Sequence, residues 1–304
     1  MKYEFSIVIP TYNGERTIGK LLEKLSYIPE DYNTEIIVID SSSTDKTPQI
    51  VRKFQTKILN VRFFTIKKED FNHGGTRNMG VRLAKGKYVC FFSQDAIPIN
   101  NNFLKYYSED FALDRKVVAV FGKQISKRKS SFIQKIELKG VFYKLDKLSR
   151  NKGILLQIRS NPFVTFNREN HFLWYALLNP FSCYKRTFLR RYPFPQVEYA
   201  EDLQMGKYII DNYYAKIYDP RCIVIHSHDY GLWDYYKRQR VDYLAKSQLY
   251  RTRTNFTFKL KQIIKSNESS LKKLTLIIYL IFYYLIKAFV FFEFFLRRLL
   301  SRDL

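Results

Sequence analysis

The chain has 304 residues and a mass of 36.5 kDa, and 46% of its residues are hydrophobic. Its 52 Lys and Arg against 28 Asp and Glu give a net charge of +24. This size and apolar content exclude a disulfide-stapled miniprotein and a disordered basic tail, and they predict one large folded domain or two modest ones. The excess of cations favours a polyanionic partner, which could be nucleic acid, an anionic membrane face or a phosphate-bearing substrate.

The three cysteines, Cys90, Cys183 and Cys222, are widely separated within apolar sequence. We expect them to be reduced core residues of a cytosolic protein, and their spacing excludes a zinc cluster. The apolar run at residues 5–9 is shorter than the roughly 7 to 15 residues of a signal-peptide core, so we expect no export signal.

Residues 1 to about 95 alternate between strand and helix patterns. Strands are predicted at 5–9, 35–40, 61–66 and 88–92, and helices follow the first three from about residues 18, 44 and 75. Because these strands are almost continuously apolar, they predict a parallel sheet covered on both faces. Ligands of such sheets bind beyond the carboxyl ends of the strands, where this chain has polar residues at 10–13, 40–43 and 94–96.

The later sequence is less uniform. Residues 123–180 are basic and aromatic and are expected to be irregular and variable, whereas 179–243 reads as a second ordered block. Residues 274–296 are apolar, are flanked by Lys and Arg pairs, and are interrupted by Lys287 and Glu293. A spanning helix, an interfacial or re-entrant helix and a buried or dimer-forming helix all remain open for this segment.

Two strand ends carry acidic motifs. Asp40 in VIDSSSTD could accept hydrogen bonds from a nucleotide base or ribose, or it could belong to an ordinary turn before a helix. Asp95, which follows Gln94 after the strand YVCFF, could hold a divalent cation against a diphosphate, or it could face solvent in a turn.

The segment NHGGTRNMG at residues 72–80 places two glycines before a predicted helix, with Arg77 in its first turn. Backbone N–H groups and the helix dipole would suit an anion there. A Walker motif is excluded because Val81 and Arg82 stand where Lys and Ser or Thr are required.

Two later motifs carry titratable groups. Glu201 and Asp202 open a helix, where a carboxylate could act as a general base or could simply be favoured by the helix dipole. His226 and His228 lie on one face of an extended segment, where one could bind a metal or a phosphate, or could be a core or capping residue.

Five blocks in this order resemble the family 2 glycosyltransferases, and among them the bacterial rhamnosyltransferase-like branch: IVIPTYNG, VIDSSSTD, HGGTRNMG with AKGKYVCFFSQDAIP, FPQVEYAEDLQMGKYII and VIHSHDY. The resemblance covers about residues 4 to 240. It implies the GT-A fold, an α/β fold with a mostly parallel central sheet and flanking helices, to which this sequence adds a C-terminal hydrophobic helix. It also implies a nucleotide-diphosphate-sugar donor, a divalent metal (Mg²⁺ or Mn²⁺) and single-displacement inversion.

The resemblance further implies roles for individual residues. Asp202 matches the catalytic base, with Glu201 supporting it, and Asp95 matches the last aspartate of the family's DXD metal motif. His226 or His228 would complete the metal or diphosphate site. The residues implied to bind the nucleotide sugar are Pro10, Thr11, Asp40, Arg77, Asn78, Gln94 and Asp95.

Two positions depart from the family pattern. Ser93 replaces the first DXD aspartate, which leaves Asp95 as the only side-chain carboxylate of that motif, and Ser41 replaces the second aspartate of the usual VDDGSTD block. Both changes resemble the rhamnosyltransferase branch, whose donor is a dTDP-sugar.

We therefore predict a GT-A domain at residues 1–245, with a nucleotide-sugar-binding half at 1–122 and an acceptor-binding, catalytic half at 123–245. Residues 246–304 are predicted to be a basic linker and a membrane-associated helical segment. The predicted reaction is inverting transfer of L-rhamnose from dTDP-rhamnose to a lipid-linked saccharide for surface polysaccharide, at the cytoplasmic face of the bacterial inner membrane and without a nucleic-acid partner. The alternatives are transfer from a UDP-sugar, a basic nucleic-acid-binding protein and a scaffold.

Overall fold

The structure is a computed structural model that describes residues 3–57, 60–149, 153–159, 171–197, 199–228, 231–247, 264 and 269–300. The strands in these ranges are β1 (Tyr3–Thr11), β2 (Thr34–Asp40), β3 (Val61–Thr65), β4 (Gly86–Phe92), β5 (Ile97–Pro98), β6 (Val117–Ile125), β7 (Leu155–Gln157), β8 (Phe181–Lys185) and β9 (Ala215–Ile225). The helices are α1 (Ile18–Leu25), α2 (Thr47–Lys57), α3 (His73–Leu83), α4 (Phe103–Leu113), α5 (Phe132–Leu148), α6 (His171–Tyr175), α7 (Arg186–Arg191), α8 (Glu201–Asp211), α9 (Leu232–Ser247) and α10 (Ser270–Leu300).

One sheet organises most of these elements. Among the described residues it has nine strands in the order β3-β2-β1-β4-β8-β6-β9-β5, with β7 paired to β9. The predicted parallel arrangement is confirmed, because β1 pairs in parallel with β2 and β4, and β2 pairs in parallel with β3. Strand β8 runs antiparallel to β4 and β6, so the sheet is mixed beyond its first four strands.

The strands bury both of their faces, as their apolar runs predict. Ile7, Val8 and Ile9 in β1 are all 0% exposed, although they alternate between the two faces of the sheet. Thr11 lies opposite Asp40 in the parallel register of β1 and β2, so the carboxyl ends of these strands meet at one edge. The polar residues at the strand ends are therefore brought together there.

The expectation of irregular structure at 123–180 was wrong for residues 132–148, which form α5. Phe142 and Leu145, one turn apart, are buried on this helix. The neighbouring basic and aromatic residues obscured this apolar spacing in the sequence. Residues 150–152 and 160–170 of the same segment lie outside the described residues.

The chain packs as two compact units, one of residues 1–125 with 142–226 and the other of 126–141 with 227–304. The sheet belongs to the first unit. In the second, Tyr235 of α9 and Ile136 of α5 form a small core with Leu280 and Tyr283 of α10. The predicted boundary at residue 245 stays a prediction, and much of the proposed linker, residues 248–263 and 265–268, lies outside the described residues.

Within the described part of the chain, one helix is long and apolar enough to cross a membrane by length and composition, at residues 273–294 of α10. This confirms the predicted C-terminal hydrophobic helix.

Candidate active site

Asp40 closes the edge of the site formed by β1 and β2. Its carboxylate accepts hydrogen bonds from Thr11 Oγ1 at 3.0 Å, Ser43 Oγ at 2.6 Å and Ser43 N at 2.9 Å. Asp40 and Thr11 are 1% and 2% exposed, while Pro10 beside them is partly exposed. The serines of the turn thus satisfy the buried carboxylate and fix the chain between β2 and α2.

Gln94 joins the ends of β1 and β4. Its amide oxygen accepts from Tyr12 N at 3.0 Å, and its Nε2 donates to Tyr12 O, also at 3.0 Å. This two-way pairing imitates a strand pair and holds the loop after β1 against the loop after β4. Lys68 Nζ lies 5.0 Å from the centre of the Tyr12 ring, so a cation borders the same loop.

The acidic end of β4 meets the end of β9. Asp95 Oδ1 lies 3.3 Å from His226 Nε2, and His226 Nδ1 is hydrogen-bonded to Gln124 Oε1 at 2.9 Å. The ring thus faces Gln124 with Nδ1 and Asp95 with Nε2. His228, two residues along the chain, is the third member of the group, since one ligand atom from each of Asp95, His226 and His228 lies within 4.8 Å of the others.

This donor set fits a divalent cation. One carboxylate and two imidazoles offer oxygen and nitrogen ligands, and a hydrogen bond like that between His226 and Gln124 can orient a histidine toward a metal. The side chain of Asp95 is 15% exposed.

Asn179 connects this end of the sheet to the acidic helix α8. Ser93 N donates to Pro180 O at 3.2 Å, and the preceding Asn179 contacts Asp202 and Glu201 through its backbone N and its Nδ2, at 3.4 and 3.3 Å. Asn179 is itself 0% exposed, and its Oδ1 accepts from the hydroxyl groups of Ser182 and Tyr184 at 2.9 and 2.7 Å. Asn179 is therefore a buried residue that links β8 to α8 through its hydrogen bonds.

Glu201 and Asp202 have different environments. Glu201 is buried and accepts from Arg77 Nη1 at 2.5 Å, whereas Asp202 is partly exposed and accepts from Leu203 N at 2.8 Å. Burial, and next the charge of Glu201, raise the pKa of Asp202 to about 7 from its ordinary 3.8, against the lowering effect of Arg77. A carboxyl group with a pKa near neutrality is suited to accept a proton during a reaction.

The backbone in front of this pair is constrained. Ala200, the residue before α8, is left-handed, with φ 63° and ψ 30°, and is 2% exposed. A non-glycine residue in this region costs about 1 kcal/mol or more and persists where the surrounding structure enforces it. The turn at Ala200 thus starts the helix with its two carboxylates at the site.

Helix α3 and its N-cap residue Asn72 hold residues 194–197, which precede this turn. The side-chain amide of Asn78 donates to Phe194 O at 2.8 Å and accepts from Phe194 N at 2.9 Å, and Asn72 Nδ2 donates to Val197 O at 3.0 Å. A side chain at Gly74 would collide with the backbone of Pro195, so glycine permits the close approach. The motif HGGTRN therefore holds the loop that leads to α8.

The predicted site residues thus lie at the ends of strands and at the start of α8. Pro10, Thr11, Asp40, Gln94, Asp95 and His226 lie at strand ends, and Glu201 and Asp202 open α8. Arg77 and Asn78 have protein partners at Glu201 and Phe194, and their assignment to the donor stays a prediction, as do the roles of the others.

Sequence reasoning missed Asn179 and Gln124. Neither residue belongs to a local motif, and both gain their roles through partners distant in the chain, at Glu201 and His226. The one local signal is that Asn179 precedes Pro180 at the start of the apolar strand FSCYK.

Comparison with known proteins agrees with this geometry. Residues 6–172 match the family model described as "Glycosyl transferase family 2". The chain is 27% identical over 234 residues to the O-antigen chain rhamnosyltransferase RfbN of Salmonella typhimurium (strain LT2), covering 75% of this chain and 67% of the relative. It is 29% identical over 233 residues to the O-antigen chain rhamnosyltransferase WbaN of Salmonella anatum, covering 74% and 67%.

Solved structures show the same fold. The mannosyltransferase PcManGT of Pyrobaculum calidifontis, in complex with GDP-Man and Mn²⁺, aligns with a TM-score of 0.59 at 20% identity, over 85% of this chain and 68% of that one. S. aureus TarS 1-349 in complex with UDP-GlcNAc aligns with a TM-score of 0.55 at 20% identity, over 89% and 69%.

The fold is a GT-A-like α/β fold. The chain belongs to glycosyl transferase family 2 and is a glycosyltransferase. The predicted family, fold class and enzyme class are confirmed.

Proposed function

We propose that this glycosyltransferase moves L-rhamnose from dTDP-rhamnose to a lipid-linked saccharide, with inversion, during synthesis of a bacterial surface polysaccharide. The donor sugar is supported by the two relatives named O-antigen chain rhamnosyltransferases, each of which aligns with about three quarters of this chain. The observation that carries the reaction type is Asp202, a partly exposed residue at the start of α8 whose carboxyl group has a pKa of about 7.

In the proposed reaction, an acceptor hydroxyl attacks the anomeric carbon of the donor sugar. The new C–O bond forms on the face opposite the diphosphate, the bond from that carbon to the diphosphate oxygen breaks, and its electron pair leaves with the nucleoside diphosphate. Asp202 takes the hydroxyl proton as the new bond forms. Because the carbon is attacked from the opposite face in one step, no covalent nucleophile on the protein is required.

The surrounding residues position this base. Arg77 binds the buried carboxylate of the neighbouring Glu201 at 2.5 Å, and Asp202 itself accepts from Asn179 N at 3.4 Å and from Leu203 N at 2.8 Å. Thr11 and Asp40 would border the nucleoside at the ends of β1 and β2, where their hydrogen bond of 3.0 Å sets the wall of the site.

Asp95, His226 and His228 would hold Mg²⁺ or Mn²⁺ beside the diphosphate. A divalent cation there supplies charge neutralisation for the departing phosphate oxygens. The hydrogen bond from His226 to Gln124 keeps the metal-facing nitrogen in place.

The proposed location is the cytoplasmic face of the inner membrane, where a lipid-linked acceptor would be found. The net charge of +24 and the apolar helix α10 support attachment to an anionic membrane surface.

The test is release of nucleoside diphosphate by the purified full-length chain, with a membrane-lipid extract as acceptor. The donors are dTDP-rhamnose, UDP-glucose, UDP-galactose and UDP-N-acetylglucosamine, each with Mg²⁺, Mn²⁺ or EDTA. The proposal predicts a metal-dependent signal with dTDP-rhamnose alone, whereas turnover of a UDP-sugar would overturn the donor assignment.

Asp202→Asn is the diagnostic variant, and Asp211→Asn is its matched control. Asp211 lies at the other end of α8, where it pairs with Lys207 on the helix surface. We expect Asp202→Asn to abolish turnover while donor binding persists, and Asp211→Asn to remain active. Full activity of Asp202→Asn would show that another group is the base.

A further inference from the structure

Helix α10 is apolar on its buried face and also on its exposed face, unlike an ordinary surface helix in water. Leu280, Tyr283 and Val290 are 0%, 5% and 1% exposed on the face toward the second unit's interior. The opposite face is exposed and apolar, and its stripe consists of Leu274, Ile278, Leu285, Phe289, Phe292 and Leu296. We call these six residues the α10 stripe. Their spacing of three, four or seven residues places them on one side of the helix.

The two charges inside the apolar segment lie on the packed face. Lys287 Nζ lies 3.5 Å from Glu137 Oε1 of α5, and Glu293 Oε1 lies 2.8 Å from Arg240 Nη2 of α9. Glu293 also accepts from Tyr236 OH at 3.0 Å. Each charge is therefore paired with an opposite charge within the second unit. Lys287 and Glu293 interrupt the apolar run in the sequence, but neither belongs to the α10 stripe.

The rest of the unit is strongly basic. Residues 126–141 and 227–304 contain 20 Lys and Arg against seven Asp and Glu, a net charge of +13 that is more than half of the chain's total of +24. Lys272 and Lys273 precede the stripe, and Arg297 and Arg298 follow it. Cations at both ends of an apolar face complement a surface of anionic headgroups over hydrocarbon.

The charged residues of helix α9 limit how α10 can be oriented at such a surface. It packs along α10, and between residues 234 and 242 it carries five charged side chains, which are Asp234, Lys237, Arg238, Arg240 and Asp242. A spanning α10 would either draw these charges and Glu137 into hydrocarbon or separate Lys287 and Glu293 from their partners, and both are costly.

We propose that α10 lies in the plane of an anionic membrane, with its stripe among the acyl chains and α9 on the water side. This anchor rests on the membrane location in the proposed function, and it excludes the spanning alternative for residues 274–296. The chain would then be held at the membrane surface without crossing the bilayer.

The first test measures binding of the purified full-length chain to vesicles of phosphatidylcholine alone or mixed with phosphatidylglycerol. We expect flotation with the anionic vesicles and at least tenfold weaker partition onto the neutral ones. Leu285→Glu should weaken binding to anionic vesicles tenfold or more, because Leu285 is 59% exposed on the stripe and loses its burial in lipid.

Leu113→Glu is the matched control, since Leu113 is 57% exposed at the end of α4 in the first unit. It should bind vesicles like the parent chain. Equal binding of Leu285→Glu and the parent would overturn the proposal, as would a parent chain that dimerises through the stripe, shown by a dimer that Leu285→Glu converts to monomer while vesicle binding is unchanged.

The second test distinguishes an α10 that lies in the plane of the membrane from one that spans the bilayer. Ser269→Cys and Ser301→Cys place a thiol before and after α10, and the chain's own three cysteines are at most 1% exposed, so their background labelling is low. In intact spheroplasts, a membrane-impermeant maleimide should label neither new cysteine, and after lysis it should label both. Labelling of one of them before lysis would show a spanning helix and overturn the proposal.

The two proposals fail separately. Vesicle binding without turnover of any donor would leave the anchor in place and remove the proposed reaction. Turnover of dTDP-rhamnose by a chain that does not bind anionic vesicles would support the proposed reaction and overturn the membrane anchor.

Discussion

With Asp202 as the proposed base, its raised pKa should give transfer a pH dependence that an ordinary carboxylate would not produce. Burial is the main cause and the neighbouring Glu201 is the second, and together they set the pKa at about 7. Since only the ionised form can accept the acceptor's proton, activity should rise with pH through this value.

The magnitude follows from the pKa. A group with a pKa of about 7 is about 9% ionised at pH 6 and about 91% ionised at pH 8, so kcat/KM should rise about tenfold between them. A carboxyl group at its ordinary 3.8 would be about 99% ionised at both pH values and would give a flat profile.

The assay is nucleoside diphosphate release at low donor concentration from pH 5.5 to 9, with metal and acceptor held constant. Glu201→Gln should move the acidic limb to lower pH, because it removes a negative charge that raises the pKa of Asp202. Asp211→Asn, at the far end of α8, should leave the limb in place. A flat parent profile between pH 6 and 8, or a limb that Glu201→Gln does not move, would refute the reasoning.

Three further predictions address stability and the metal. Arg77→Met leaves the buried Glu201 without its cation and should destabilise the fold by about 3–5 kcal/mol, whereas the double variant with Glu201→Gln should recover most of that loss in urea unfolding; additive losses would contradict this. Burial raises the pKa of Asp110 to about 8, so its contribution to stability is present at low pH and is lost as pH rises from about 4 toward 8. Asp110→Asn should therefore gain in melting temperature relative to the parent as the pH is raised from 5 to 8.5, and parallel curves would show that the carboxyl group has no such shift. Gln124→Ala releases His226 and should raise the Mn²⁺ concentration for half-maximal activity about 10–100-fold with little change at saturating metal, and an unchanged metal titration would count against Asp95 and His226 as ligands.

The alternating strands and helices of the first hundred residues were predictable from sequence because their signals are local. The apolar run at β1 and the helical spacing of Ile18, Leu21, Leu22 and Leu25 each report a buried face within a few residues. The parallel direction of β1, β2 and β4 could be predicted because helices lie between these strands in the sequence. Helix α5 was missed, because its apolar spacing is diluted by basic and aromatic neighbours.

The site was predictable as residue types at strand ends, and its contacts were not. Asp40, Asp95, Asp202 and His226 stand out because each follows or opens a regular element. Their partners at Gln124 and Asn179 carry no such signal. The hydrogen bond between Gln124 and His226, which are 102 positions apart, depends on packing of the whole sheet, which no local pattern records.

The sequence by itself therefore determined the family, the alternating α/β order and an apolar C-terminal helix. Only the tertiary structure decided that Arg77 binds Glu201 and that Lys287 and Glu293 face the protein. The physical reason is that the effect of a charged residue depends on its surroundings. The same side chain destabilises the fold if it is buried alone and can stabilise it if it is buried beside an opposite charge. Burial and neighbouring charges turn the same residue types into a carboxyl group with a raised pKa, a buried ion pair or a helix face whose charges are paired.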